Sequence, residues 1–327
     1  MPKKVKFPSE LRFDLISKDW VVIATGRARR PETFKKEKRV KEEVPKSKCP
    51  FCNLGVNEKP TLVLPNTIVV PNKYPAFTPY AKLEKRIEGK FYQTVNAVGF
   101  HEVVVTKDHE KSLAQFSTDK VKEVIDAYHQ RYLDLKKEKF VHYVSIFHNH
   151  GKEAGASVAH PHSQIITTPL VDTDLEKALG NSGKYFMKTG KCIYCEMNDW
   201  EKKVKKRVVF ENEEFLVLCP FASKAAFEMI ISPKKHLAYF EDITEKEKWG
   251  LAESLRAALS KLYKALADPA YNFYLHTAPC DGRTCPYYHW HWTILPKTAT
   301  WAGFEIGTRM EISTIEPEKA AGYLRKQ

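Results

Sequence analysis

The sequence contains no apolar run approaching the roughly 18 residues that a membrane-spanning helix needs, so no such helix is expected. Its first residues, Met-Pro-Lys-Lys-Val-Lys, are charged, and no apolar stretch follows them. A secretory signal is therefore not expected, and a cytoplasmic location is. The seven cysteines are odd in number and few for 327 residues, which argues against a disulfide framework. No RNP or helix-turn-helix signature accompanies the basic residues, and these are spread along the chain, so nucleic acid is not an expected partner. The net charge of +13 still favours anionic partners, small phosphorylated molecules included. With 43% apolar and 28% charged residues the chain has material for a sizeable core.

Four of the cysteines form two Cys-x-x-Cys pairs, Cys49/Cys52 and Cys192/Cys195, 143 residues apart. Cys219, Cys280 and Cys285 are scattered and read as small buried apolar residues. A similar order of features follows each pair. After the first come Pro71-Asn-Lys-Tyr-Pro-Ala-Phe77, the strand-like His101-Glu-Val-Val-Val-Thr106, Lys107-Asp-His109, a helical stretch over about 118–137, an apolar run ending at Phe147, and His160-Pro-His162. After the second come Phe215-Leu-Val-Leu218, Phe227-Glu-Met-Ile-Ile-Ser232, Lys234-Lys-His236, a helix over about 245–266, Asn272-Phe-Tyr-Leu275 and His289-Trp-His291. From the Lys-x-His histidine to the first histidine of His-x-His is 51 residues in one half and 53 in the other. The shared order reads as an internal duplication of two α+β units, 1–180 and 181–327, with the connection between them over about 169–191. Thr244 and Glu247 fit a capping box, and Leu251, Leu255, Leu259 and Leu262 recur at helical spacing behind it. The segment over about 27–48 is dense in charge and reads mostly as a solvated surface loop.

Zinc takes about four soft or borderline ligands in a tetrahedron. Two thiolates cancel its charge, and two neutral imidazoles complete an uncharged site. His109 and His160 can complete the first pair, and His236 and His289 the second, so two Zn2+ sites per chain are expected. The second is expected to be a structural staple, and the first to position its neighbour. That neighbour is His160-Pro-His162-Ser-Gln164, whose residues 160, 162 and 164 share one face of an extended strand. A histidine facing a cleft there can attack phosphorus and carry a covalent phosphoramidate, provided a backbone carbonyl or carboxylate orients its other nitrogen. Upstream, 149–157 reads as a small-residue loop whose N–H groups and hydroxyl can approach phosphate oxygens. His148 and His150 read as ordinary surface or loop histidines.

At these residues the chain resembles the galactose-1-phosphate uridylyltransferase family, within the histidine-triad superfamily. The likeness runs from Arg27-Ala-Arg-Arg-Pro31 to the C-terminus. It is most specific over Phe147-His-Asn149, Gly155-Ala-Ser157 and His160-Pro-His162-Ser-Gln164. It implies a duplicated α+β histidine-triad fold, an open antiparallel half-barrel sheet with helices outside. It also implies a ping-pong reaction between a nucleoside-diphosphate sugar and a hexose 1-phosphate. By that resemblance His162 is the nucleophile and Gln164 steadies the transferred group; Cys49, Cys52, His109 and His160 hold the first metal. Asn149, Gly155 and Ser157, with Gln164, contact the nucleotide phosphates. Arg27 and Arg30 match arginines near the phosphates, Phe51, Asn72 and Tyr74 match the nucleoside pocket, and Phe304 and Glu305 match the sugar segment. A homodimer is implied, each site being completed by a C-terminal segment of the partner.

A neutral amide at Gln164 can donate a hydrogen bond to the phosphoryl group yet supplies no proton, which suits a transferase. The chain also departs from the family pattern. Ala299 and Thr300 stand where bacterial and animal uridylyltransferases carry a lysine and an aromatic. Gly303-Phe-Glu-Ile-Gly-Thr308 and the complete second Cys-x-x-Cys set are more like a plant-type branch that includes ADP-glucose phosphorylases. The expected activity is thus UDP-glucose–hexose-1-phosphate uridylyl transfer, with an ADP-glucose phosphorylase as the alternative and a zinc-dependent nucleic-acid binder as a remote one. In the second half, Thr293 stands in the place of Gln164, and one active site per chain is expected.

Overall fold

A computed structural model describes residues 9–24, 34, 44–54, 59–79 and 82–327. Ten strands make one sheet. From the first half come β3 (Leu62–Val63), β4 (Thr67–Pro71), β7 (His101–Thr106), β8 (Tyr143–His150) and β9 (His162–Thr168). From the second come β10 (Val208–Glu211), β11 (Phe215–Leu218), β12 (Met229–Pro233), β13 (Tyr271–His276) and β14 (His291–Pro296). Their spatial order is β10-β11-β12-β14-β13-β8-β9-β7-β4-β3, with every pairing antiparallel. The order mirrors itself about the β13–β8 seam, so corresponding strands of the two halves lie at corresponding distances from it. A small sheet joins β1 (Glu10–Phe13) and β2 (Trp20–Ile23) to β15 (Ile312–Ser313), and a separate hairpin joins β5 (Lys85–Glu88) to β6 (Tyr92–Val95).

Helices α1 (Thr118–Leu135), α4 (Glu245–Leu266) and α6 (Pro317–Arg325) pack on one face of the large sheet. The expected helices are thus present, and α4 has the bounds its leucines predict. Its Thr244 and Glu247 close the capping box, and Leu251, Leu255, Leu259 and Leu262 are fully buried. Each such leucine contributes roughly 1.5–3 kcal/mol of burial. Period-two alternation divides the strand residues. Val104, Ile146 and Ile165 join the core under the helices, whereas Val103 and Val105 face the other side with Phe51 and Leu54. The connecting segment is itself helical: α2 (Thr173–Thr189), capped by the Asp172 side chain, precedes α3 (Ile193–Val204).

Two expectations need correction. His148 and His150 are neither surface nor loop residues: both are buried on β8. His148 Nδ1 lies 2.9 Å from Ser163 Oγ, and His150 Nε2 lies 2.7 Å from Asp268. The small-residue loop therefore begins after β8, not at residue 149. The strand claims these positions because their partners lie 15 and 118 residues away, beyond any local reading.

The start of β7 is held in two ways. Glu102 takes a bidentate pair from Arg131 of α1 at 2.8 Å and 2.8 Å, and breaking such a buried pair costs roughly 3–5 kcal/mol. Just before β7, Gly99 lies so close to β9 that a Cβ there would sit 2.2 Å from the Thr167 carbonyl oxygen. Gly99→Ala is expected to destabilise the protein by about 1–3 kcal/mol, because backbone rather than a flexible side chain must yield. Urea denaturation measures it; unchanged stability would contradict the close approach.

Candidate active site and metal centres

The first Cys-x-x-Cys lies in a turn after a 3-10 segment at Lys46–Lys48, and the turn hydrogen-bonds Cys52 N to Cys49 O at 3.3 Å. His109 and His160 reach it from the end of β7 and the start of β9. Cys52 Sγ lies 3.1 Å from His109 Nδ1 and 3.5 Å from His160 Nδ1, Cys49 Sγ lies 3.5 Å from His160 Nδ1, and the two Nδ1 atoms are 3.2 Å apart. The second group repeats this arrangement with Cys192 as the N-cap of α3 and Cys195 in its first turn. Cys195 Sγ lies 3.3 Å from His236 Nδ1 and 3.5 Å from His289 Nδ1. Within each group of four, one ligand atom per residue falls within 4.8 Å of all the others.

The far nitrogen of every histidine in these groups is engaged by a backbone carbonyl. His109 Nε2 donates to Val44 O at 2.8 Å, His160 Nε2 to Thr106 O at 2.6 Å, His236 Nε2 to Pro286 O at 2.9 Å and His289 Nε2 to Pro233 O at 2.9 Å. Each bond puts the ring proton on Nε2 and leaves an Nδ1 lone pair aimed into its group, as metal ligation requires. Burial lowers the His160 pKa and so favours the neutral, ligating form. In the second pair, the hydrogen bond from Cys195 holds Cys192 as the thiolate.

His162 shows the opposite ring polarity. Its Nδ1 donates to the His160 carbonyl at 2.9 Å, so the lone pair is on Nε2. Burial lowers its pKa, against the opposing pull of that bond, and the neutral ring is the nucleophilic one. Phe51, from the first Cys-x-x-Cys turn, packs on this ring at 4.8 Å between centroids and on His160 at 5.9 Å, tying the metal-binding group to His162 mechanically. Gln164 lies two residues along the same face and pairs with Val103 of β7. Asn149, at the end of β8, accepts a 2.7 Å bond at Oδ1 from Asn272, which leaves the Asn149 amide hydrogens for a ligand. Gly155 has φ 86° and Gly151 has φ 89°, the left-handed side that glycine allows without strain.

That loop does not offer all its N–H groups to an anion. Those of Ala154 and Ala156 bond to Gly151 O, and that of Gly155 to Lys152 O. Gly155 therefore shapes the turn, and Ser157 is left as an exposed hydroxyl. Asn72 and Tyr74 lie together after β4, the Tyr74 N–H donating to Asn72 Oδ1 at 2.8 Å, with Tyr74 largely exposed. Arg27 and Arg30 lie outside the described residues. Phe304 and Glu305 are on α5 (Gly303–Thr308), beyond the second half of the sheet; the Glu305 carboxylate accepts from Ala302 N–H at 3.0 Å. Among the described residues no hydrogen bond or ion pair joins them to His162, Gln164 or Asn149.

Three neighbours of this cluster escape a reading of the sequence. Asn272 braces Asn149 from 123 residues away. Ser163 links the Tyr128 hydroxyl of α1 (2.5 Å) to His148 on the buried face of β9. His101, at the start of β7, contacts Gln164 at 2.8 Å. Only His101 carries a local signal, since it is in phase with the open-face residues Val103 and Val105.

Comparison with known proteins bears on this cluster directly. Residues 2–172 match the N-terminal domain of galactose-1-phosphate uridyl transferase, and residues 178–325 match its C-terminal domain. The chain belongs to that family. It is 32% identical to ADP-glucose phosphorylase of Arabidopsis thaliana over 97% of this chain and 92% of that one. It is 29% identical to galactose-1-phosphate uridylyltransferase of Thermotoga maritima over 97% of this chain and 98% of that one. Among solved structures, the ADP-glucose phosphorylase of A. thaliana with bound ADP-glucose superposes with a TM-score of 0.81 at 28% identity, covering 98% and 99% of the two chains. A uridylyltransferase structure gives 0.78 at 29% identity, covering 97% and 98%. The family's α+β architecture, with an open antiparallel sheet flanked by helices, is the one the sequence implied. No helix among the described residues is long and apolar enough to cross a membrane.

Cys52→Ser is expected to lower bound metal by about one ion per chain and to reduce stability with it. Elemental analysis of the purified protein reads this, and full metal content in the variant would count against the first four-residue group as a metal site.

Proposed function

We propose that this protein is a UDP-glucose–hexose-1-phosphate uridylyltransferase working by ping-pong through a nucleotidyl-His162 intermediate. The observation that carries the reading is the polarity of the His162 ring. Its Nδ1–H is committed to the His160 carbonyl, and its Nε2 lone pair is left to attack. In the first half-reaction Nε2 bonds to the α-phosphorus of the nucleotide sugar, the phosphoanhydride bond breaks, and hexose 1-phosphate leaves with the electron pair. In the second, a phosphate oxygen of the incoming hexose 1-phosphate attacks the same phosphorus and Nε2 leaves. Asn149 and Gln164 supply amide N–H groups, and Ser157 a hydroxyl, to the phosphoryl oxygens. Phe51, Asn72 and Tyr74 contact the nucleoside, and Arg27 and Arg30 the phosphates.

Both four-residue groups fit zinc. For metal–sulfur bonds of ~2.3 Å and metal–nitrogen bonds of ~2.0–2.1 Å, tetrahedral edges run from about 3.3 to 3.8 Å. The nitrogen–nitrogen and sulfur–nitrogen separations of 3.1–3.5 Å lie close to that range. Four protein ligands close the coordination, so a bound zinc supplies cross-linking rather than a reactive position. In the first half that cross-link fixes the turn carrying Phe51 and the strand carrying His162. All seven cysteines are free, which fits a reducing, cytoplasmic setting. The units are taken as 1–180 and 181–327.

A second reading, ADP-glucose phosphorylase, is favoured by the 32% identity to that enzyme of A. thaliana and by Ala299 and Thr300 at the usual lysine and aromatic positions. Intact mass after incubation with UDP-glucose and, separately, ADP-glucose separates the two. A uridylyl adduct discharged by galactose 1-phosphate is expected. An adenylyl adduct discharged by phosphate and not by hexose 1-phosphate would decide for the second reading. His162→Ala should abolish either adduct with metal content unchanged, and an adduct that persists in it would overturn the assignment.

The proposed assembly is a homodimer in which α5 of one protomer, with Phe304 and Glu305, completes the other's site. It is supported by the exposure of Phe304 and by the absence of any described hydrogen bond or ion pair from α5 to the chain's own His162 cluster. Co-expressing His162→Ala with Glu305→Ala should then restore about a quarter of wild-type activity, since mixed dimers hold one intact site. No recovery from co-purified mixed dimers would exclude completion in trans.

A further inference from the structure

His101 begins β7, and its ring receives contacts from two directions. The Ala76 N–H donates to its Nδ1 at 3.1 Å. A ring nitrogen that accepts carries no proton, so the proton of the neutral ring is on Nε2. That nitrogen lies 2.8 Å from Gln164 Oε1, and the bond therefore runs from His101 to the amide oxygen. The register explains the reach. Gln164 stands opposite Val103, and His101 is its diagonal neighbour on the same face. The Asn72 amide nitrogen lies 3.0 Å from the same ring nitrogen. Because Asn72 Oδ1 accepts from Tyr74, this nitrogen is a donor facing a donor, and the contact adds no bond to the His101 ring. The Asn72 N–H in turn donates to the His101 carbonyl at 2.8 Å.

We propose that His101 is a positioning residue that sets the polarity of Gln164. By occupying Oε1 it turns the Gln164 NH2 group toward the phosphoryl group carried on His162. The two ends of an amide are nearly equal in shape and opposite in polarity. With NH2 inward, Gln164 donates to the phosphoryl oxygens; with oxygen inward, it repels them. The loop over 72–76, which carries the residues matched to the nucleoside pocket, fixes the His101 ring. One imidazole thus joins the base-binding side of the site to the group that steadies the phosphoryl. The proposal rests on nucleotidyl transfer at His162. It requires no change of His101 protonation.

The test is a double-mutant cycle on the rate of His162 nucleotidylation, measured in a single turnover at saturating nucleotide sugar. His101→Phe keeps a ring and removes the donor, and it is expected to slow transfer about tenfold, the scale of one lost hydrogen bond. In a Gln164→Ala background the same change should cost nothing further. His101→Gln, which restores a donor of similar reach, should recover most of the rate. Nitrogen-15 spectra of the histidine rings should put the His101 proton on Nε2. Equal cost in both backgrounds, or a proton on Nδ1, overturns this proposal and leaves the function above standing. A wild-type protein that forms no adduct with any nucleotide sugar overturns the function, and this role with it, whatever the ring spectra show.

Discussion

The site depends on the placement of one strand. β9 lies between β7 and β8, antiparallel to both, and its register with them fixes which side chains face the helices and which face the open side. A slip of one residue would turn His162 and Gln164 into the core and bring Ser163 out. Nothing in His160-Pro-His162-Ser-Gln164 alone prevents that slip. What prevents it lies on the buried face: Ser163 held by Tyr128 and His148, Ile165 in the apolar core, and β7 tied to α1 through Glu102 and Arg131. The open face that carries His162 and Gln164 is ordered by the buried face behind it.

Backbone carbonyls then divide labour among the histidines. In each Cys/His group they accept from Nε2–H and leave the Nδ1 lone pair facing the cysteines. At His162 the carbonyl of His160 accepts from Nδ1–H and leaves the lone pair on Nε2. Two histidines two residues apart thus hold opposite tautomers, His160 through the Thr106 carbonyl of β7 and His162 through the His160 carbonyl. His160 contributes its side chain to one task and its carbonyl to the other. The first Cys/His group and His162 are therefore coupled through covalent geometry.

Much of this was legible because it is periodic or local. The duplicated order of Cys-x-x-Cys, Lys-x-His, helix and His-x-His becomes a sheet mirrored about its centre, and both four-residue groups assemble from the cysteines and histidines read from spacing. The leucine spacing and the Thr244/Glu247 box gave α4 its bounds. What stayed hidden is pairwise and distant. His148 and His150 looked like loop residues because Asn149, Gly151 and the small residues beyond them carry turn chemistry. Their burial is decided by Ser163 and Asp268, which no local window contains. The stretch over 149–157 looked like an anion cradle, yet its central N–H groups are spent on its own turn. A glycine-rich stretch declares that the backbone bends and leaves open whether its donors point outward.

The duplicated chain holds two histidines, His162 and His291, in corresponding places. The second half repeats the ring geometry of His162: His291 Nδ1 donates to the His289 carbonyl at 3.1 Å, just as His162 does to His160. The surroundings differ. Register puts His276 across from His291, and the two rings stack at 4.8 Å between centroids, where the first half has Asn149 with amide hydrogens to spare. Thr293 replaces Gln164 with a side chain too short to span to a phosphoryl group and without an amide. Burial pushes the His291 pKa down to about 4, so that ring is neutral too. A neutral, correctly turned imidazole is therefore present twice, and lone-pair availability cannot be what separates the halves. The difference lies in the donors that would hold a transferred phosphoryl group: across from His291 stands a stacked imidazole rather than a carboxamide, and Thr293 has no amide to offer.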